Sequence, residues 1–119
     1  MLKMKFMTKC KKWDIVLVPF PFTDLSSVKK RPALIISPDN QNQFTDDKVI
    51  LFITSNVKEP NRFGDYFIKD IYSSGLPKPS LIRMKFATIT ENIIIKKLGN
   101  LSKEDRDGLL ILLIEYFKN

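Results

Sequence analysis

The chain has 119 residues, one domain's worth, and 44% of them are apolar, which argues against a disordered chain. Twenty Lys and Arg against thirteen Asp and Glu leave a net charge of +7, which favours a polyanionic partner, nucleic acid ahead of a membrane surface. With no histidine and one cysteine, Cys10, the sequence excludes catalytic triads, Cys–His dyads, two-histidine ribonuclease chemistry, His-containing or Cys-rich metal sites and an internal disulfide.

Residues 1–12 carry five lysines and no apolar stretch of the ~7–15 residues that an export signal needs, so they read as a basic, poorly ordered leader. The longest apolar run, Leu109 to Ile114, has six residues against the ~20 of a membrane span, and a cytoplasmic protein is expected. Residues 1–38 hold eight basic and two acidic side chains, so most of the positive field sits at the front. Asp14-Ile15-Val16-Leu17-Val18 reads as a buried strand. The following Pro19 to Ser27 reads as a long loop, because two prolines remove ladder donors. Arg31 to Ser37 is a second strand, Lys48 to Thr54 a third and Asp65 to Ile68 a fourth, with Asp39 to Lys48 a loop. Pro79 to Arg83 follows as a fifth strand, then Phe86 to Ile89 and Asn92 to Ile95. Ser102 caps a final helix over about 103–117, with Glu104 and Asp105 suited to the positive end of its dipole. Short strands and one terminal helix predict a mainly β fold, a small barrel at 13–119 with the helix packed on it. On that helix Leu109, Leu112, Leu113 and Tyr116 follow the spacing that covers a barrel, leaving Leu110, Ile111, Ile114 and Phe117 on other faces.

Lys29, Lys30 and Arg31 lie at the root of the second strand, where three cations make either a phosphate site or a lysine-rich edge that deters strand pairing. Pro32 restrains Arg31 towards extended geometry, so its side chain leaves a rigid position. Thr54, Ser55 and Asn56 end the third strand with groups that donate to a phosphate or a 2′-OH and are also ordinary turn formers. Phe20 and Phe22 share spacing two and present rings either to stacked bases or to the core. Arg83 and Lys85 share that spacing too, lining the same groove as Arg31 or a solvated strand face. Asp46 and Asp47 point to opposite sides of an extended chain and do not make a metal pair.

The string WDIVLVPFPFTDLSSVKKRPALIISP resembles the opening signature of the MazF/PemK-type toxins of type II toxin–antitoxin modules. Ile53-Thr54-Ser55, the segment Gly75 to Ser80 and the segment Lys97 to Ser102 match in order, so the resemblance covers about residues 12–117. It implies an SH3-like barrel of the MazF/CcdB kind with a C-terminal helix, usually a homodimer. It implies a metal-independent, sequence-specific endoribonuclease with no cofactor, which cleaves single-stranded RNA (mRNA) by 2′-OH attack to give 2′,3′-cyclic phosphate and 5′-OH ends. By position it makes Arg31 and Thr54 catalytic, and with that site Phe20, Phe22, Lys29, Lys30, Ser55, Asn56, Ser80 and Arg83 are the residues expected to bind RNA. The partners it implies are a cognate antitoxin with an acidic tail and operator DNA, the latter only as a toxin–antitoxin complex. Family members usually carry glycine before the acidic residue of the first strand, where this chain has Trp13. Packing of the indole over the barrel mouth is the expected reason, with a changed strand entry or stacking on RNA as alternatives. Two other functions suit the same pattern: a gyrase poison of the CcdB type, which does not need the Arg31–Thr54 pair, and a non-catalytic nucleic-acid-binding barrel.

Overall fold

The structure, a computed structural model, describes residues 10–20, 29–58 and 62–119; Phe22 and most of the expected leader and first loop lie outside them. The elements are β1 (Asp14–Pro19), β2 (Lys30–Ile35), α1 (Asp39–Phe44), β3 (Asp47–Thr54), β4 (Tyr66–Phe67), α2 (Ile71–Ser74), β5 (Leu81–Thr90), a 3-10 turn (Glu91–Ile93), β6 (Lys96–Asn100) and α3 (Lys103–Lys118). The strands form one antiparallel sheet in the order β4-β5-β3-β2-β1-β6, a half-barrel carrying the terminal helix, as expected.

Alternation on the central strands feeds two cores. Ile15, Leu34, Leu51 and Ile53 face one side and meet Leu109 and Leu113 of α3, while Val16, Val18, Ala33, Ile35 and Ile50 face the other. The half-barrel is open between its edge strands β4 and β6, and α2 fills that gap. A side chain at Gly75 would stand 2.0 Å from the Leu98 carbonyl oxygen, and one at Gly99 2.5 Å from that of Ser73, so only glycines let α2 seat on β6. Gly75 also ends α2 in the left-handed region, at φ 73°.

Several expectations need correction. Residues 10–12 belong to the fold: the Cys10 amide donates to Glu91, the Lys11 amide to Asp14 and the Lys12 amide to Asp39. Asp39 to Phe44 is a helix, held by tertiary bonds. Buried Asn42 exchanges two hydrogen bonds with Ser37, and the fully buried Lys48 ammonium pairs with Glu91 at 3.2 Å beneath the carbonyls of Asn42 and Thr45. The fifth strand and the Phe86–Ile89 run are one strand, β5, whose alternation breaks where its register against β3 shifts between Leu51 and Ile53. Asn92 to Ile95 is not a strand; the chain turns at Glu91–Ile93 and β6 begins at Lys96. On α3, Leu109 and Leu113 are buried and Leu112 is half-buried, but Tyr116 is exposed and stacks on Phe63 and Phe86.

Trp13 has a left-handed backbone, at φ 77°, a position costing a bulky residue ~1–2 kcal/mol. Hydrogen bonds from its amide to Ile35 and from the Leu101 amide to its carbonyl hold it there, and its ring packs on the helix-side core. Packing is therefore the outcome. Both Trp13→Ala and Trp13→Gly lose the ring, but only glycine relieves the backbone. Trp13→Ala is expected to be the less stable by about 1 kcal/mol in urea denaturation, the reverse of the usual order of the two residues.

Ser102 caps α3, accepting from the Asp105 amide, and Asp105 then turns inward. Its fully buried carboxylate accepts from the Tyr66 hydroxyl at 2.6 Å, the Lys69 amide at 3.0 Å and the Asp70 amide at 2.9 Å, tying α3 to the β4–α2 segment. Burial alone raises the pKa of this group, but the donors from Tyr66, Asp70, Lys69 and Ser102 outweigh it, so its pKa lies below the ordinary 3.8. A depressed folded value means that the stabilisation is fully present above the unfolded pKa and is lost as pH falls through the folded one. Thermal stability is expected to fall below about pH 4. Asp105→Asn is expected to lose about 3 kcal/mol at pH 7 and to flatten that acid slope, both measurable by calorimetry.

Candidate functional site

Arg31, near the start of β2, and Thr54, at the end of β3, lie at the same end of the antiparallel sheet. Ala33 pairs with Phe52, and continuing that register puts Arg31 opposite Thr54 and Lys30 opposite Ser55. Beside them lies a cavity of about 440 Å³, a size suited to a small ligand or a single nucleotide unit. Lys30, Arg31 and Pro32 of β2, Ile53, Thr54 and Ser55 at the end of β3, Leu17 of β1, and Lys96 and Leu98 of β6 line it. The α2–β5 loop supplies Gly75, Leu76, Pro77, Lys78 and Ser80.

The charge of this lining is one-sided. Among the described residues four cations, Lys30, Arg31, Lys78 and Lys96, line the cavity, and no acidic residue does. Such a cleft concentrates phosphate. The Arg31 guanidinium lies over the Phe20 ring at 5.1 Å, which orients it. The Thr54 hydroxyl accepts from the Asn56 amide at 3.1 Å, which fixes its oxygen and leaves its proton to be donated.

Of the residues singled out in the sequence, Lys30, Arg31, Thr54, Ser55 and Ser80 line the cavity. Ser80 corrects its assignment to RNA: its side chain is buried and its hydroxyl donates to the Lys78 carbonyl, so it shapes the loop that carries Lys78. Lys29 and Asn56 are exposed neighbours of the lining without being part of it. Arg83 is a clear correction. Its side chain is only 6% exposed and pairs with Asp65 at 3.8 Å, so it does not face the groove of Arg31. Phe22 lies outside the described residues. Lys78 and Lys96 were missed. Lys78 sits inside the Gly75–Ser80 segment that carried the resemblance, a usable signal; Lys96 had none while β6 was unrecognised.

Burial, then the charge of Glu91, pushes the Cys10 thiol up to about 12, so it is protonated and unreactive at neutral pH. Among the described residues no three of Asp, Glu and Cys gather to hold a metal ion, and Asp46 and Asp47 are solvated. Nor, among them, is any helix long and apolar enough to cross a membrane.

The sequence matches the family model of the PemK-like, MazF-like toxins of type II toxin–antitoxin systems over residues 11–117. No curated protein matches it significantly. Solved structures do. An endoribonuclease in complex with its cognate antitoxin from a mycobacterial species superposes with a TM-score of 0.71 at 15% identity, over 94% of this chain and 96% of that one. A MazE–MazF structure from Deinococcus radiodurans gives 0.71 at 12% identity, over 93% and 97%. MazF from the same organism gives 0.71 at 15%, over 95% and 100%. At these identities the likeness establishes the fold.

Proposed function

The chain belongs to the PemK-like, MazF-like toxins of type II toxin–antitoxin systems, and from that premise we propose that it is a metal-independent endoribonuclease cutting single-stranded RNA at the Arg31–Thr54 cavity. The observation that carries the reading is that Arg31 and Thr54 line one cavity whose described lining holds four cations and no carboxylate.

In the proposed reaction the 2′-oxygen bonds to phosphorus as its proton leaves, the bond to the 5′-oxygen breaks, and that oxygen gains a proton. The products carry a 2′,3′-cyclic phosphate and a 5′-OH. Without imidazole or metal, rate acceleration rests on positioning and on cations aimed at the developing phosphorane charge. A guanidinium with permanent charge and five fixed donors suits that task and makes a poor general base, so Arg31 stabilises the transition state. Thr54 donates to a phosphate oxygen. Lys30, Lys78 and Lys96 hold the flanking phosphates, and Ser55 adds a hydroxyl at the cavity wall. Phe20, behind Arg31, offers a ring to a base.

The gyrase-poison reading requires none of this arrangement, and a passive nucleic-acid-binding barrel does not require Thr54 opposite Arg31. The net charge of +7 also favours an antitoxin with an acidic tail, one that competes with RNA for the cavity and associates fast but salt-sensitively. Operator DNA is then a ligand of the toxin–antitoxin complex alone. The exposed face of α3 supports a homodimer. Incubating the protein with a randomised single-stranded RNA pool in EDTA tests the reading directly. Cleavage at a defined sequence with cyclic phosphate ends is expected. Intact RNA, or cleavage appearing only when magnesium is restored, would overturn it.

A further inference from the structure

The cavity wall that carries Lys78 has little regular structure to hold it. From Ile68 to Ser80, between β4 and β5, it contains only α2, a helix of four residues, too short to be stable alone. The ends of this stretch meet, because the Ile68 amide donates to the Ser80 carbonyl at 3.1 Å, which closes it into a compact loop. Two contacts then fix where the loop stands. At the far end of α2, the bare backbones of Gly75 and Gly99 let it close on β6. At its near end the Lys69 and Asp70 amides both donate to the buried carboxylate of Asp105. The Tyr66 hydroxyl alone would tie α3 to β4; the two amides lie beyond β4, on the approach to α2. Asp70 carries the hold onward by capping α2, accepting from the Ser73 amide at 3.1 Å and the Ser73 hydroxyl at 2.7 Å. The Ser74 hydroxyl accepts from the Leu76 amide at 3.1 Å, and Leu76 and Lys78 line the cavity. No described residue of α3 lines it, so Asp105 reaches the site only through this chain of contacts.

We propose that Asp105 and Gly99 are positioning residues for RNA binding: the carboxylate on one side and the bare backbone on the other set where α2 stands, and through it where Lys78 meets a phosphate. The inference rests on the endoribonuclease reading. Arg31 and Thr54 belong to β2 and β3, which this loop does not carry, so the pair acts on binding and not on the chemical step. A carboxylate suits the near end because it only accepts, and here it takes donors from Tyr66, Lys69, Asp70 and Ser102 together. Asparagine at the same place offers one acceptor oxygen and turns an NH2 group towards donors. With the loop unpinned, Lys78 must be ordered when RNA arrives, and that entropy is taken from the affinity.

The test measures steady-state cleavage of the shortest RNA oligonucleotide that the full chain cuts, well below the melting transition of each variant. Lys78→Ala is expected to raise KM about four-fold in 0.15 M salt and to reduce the slope of log KM against log salt by about 0.7, the share of one phosphate contact on a single strand. Asp105→Asn should raise KM about as much, leave kcat per folded molecule within about two-fold, and add nothing to Lys78→Ala. A merely structural role would lower the folded fraction, and with it the apparent kcat, without moving KM. Gly99→Ala leaves the Asp105 bonds in place and reaches the loop from β6, where the added methyl would stand 2.5 Å from the Ser73 carbonyl oxygen and must displace α2. The same KM rise is expected, again absent in the Lys78→Ala background. A folded variant of either residue with an unchanged KM, a Lys78→Ala enzyme with the wild-type KM, or a rise that persists without Lys78 would overturn the positioning role while the wild type still cuts RNA. A wild type that does not cut RNA overturns the underlying reading instead.

Discussion

Arg31→Ala and Thr54→Ala are each expected to lower RNA cleavage by at least about 10²-fold, with Arg31→Ala the worse of the two. Removing one preorganised donor to a developing oxyanion typically lowers the rate by ~10²–10³, and Arg31 brings a full charge besides a hydrogen bond. Both changes should leave the fold intact. Arg31 is exposed at the end of β2, and Thr54 is half-buried at the end of β3, so neither truncation opens a core cavity. Arg31→Lys should recover only part of the loss, because a point charge lacks the bidentate fork. The loss should appear in kcat and kcat/KM together, the mark of an interaction made in the transition state. Lys78→Ala and Lys96→Ala belong to a different class, since they hold flanking phosphates and should raise KM more than they lower kcat. Single-turnover cleavage with matched thermal melts separates the classes, and near-wild-type cleavage by Arg31→Ala would remove the mechanism.

Legibility followed burial. β1, β2 and β3 read clearly because both sheet faces are covered, so Asp14–Val18 and Lys48–Thr54 show as continuous apolar runs. α3 announced itself through Ser102 and the acidic first turn. What stayed hidden was held by distant partners. The sequence of α1, Asp-Asn-Gln-Asn-Gln-Phe, has little helix preference of its own and depends on Ser37 beneath Asn42. Edge strand β6, Lys96 to Asn100, has no apolar face, and Gly99 serves the seat of α2 rather than the sheet. That loss propagated to the site, because a β6 not recognised leaves Lys96 unplaced. Arg83 failed for another reason. Pairing it with Lys85 by spacing two assumes a regular pleat, and the irregular stretch of β5 opposite Phe52 breaks that period between them. Arg31 and Thr54 came through the family signature; their opposition across β2 and β3 is a matter of register, which a linear sequence does not display.

The second large effect is expected at the α3 surface, where Ile114→Asp should convert the proposed homodimer to a folded monomer. α3 buries Leu109 and Leu113, but Ile111, Ile114 and Phe117 are 64%, 56% and 70% exposed. Tyr116 and Phe117 meet Phe86 of β5 at 5.7 Å, and Phe63 stacks on Tyr116, so helix and sheet edge share one aromatic patch. Contiguous apolar surface of this kind on a small domain marks an interface. A two-fold axis close to α3 makes the patch self-complementary, each helix covering its mate. Burying an unpaired carboxylate there costs about 3–5 kcal/mol, which raises the dimer dissociation constant by 10²–10³-fold or more. Ile114 is more than half exposed in the protomer, so the same substitution leaves the protomer's own core alone. Sedimentation at low micromolar concentration should show a wild-type dimer and an Ile114→Asp monomer with unchanged far-ultraviolet circular dichroism. We further expect each protomer to lend cations to a groove shared across the two-fold axis, so the monomer should also bind RNA more weakly and with a shallower salt dependence. An Ile114→Asp dimer as tight as the wild type would move the two-fold axis off this helix, and a wild-type monomer with full cleavage activity would remove the shared groove altogether.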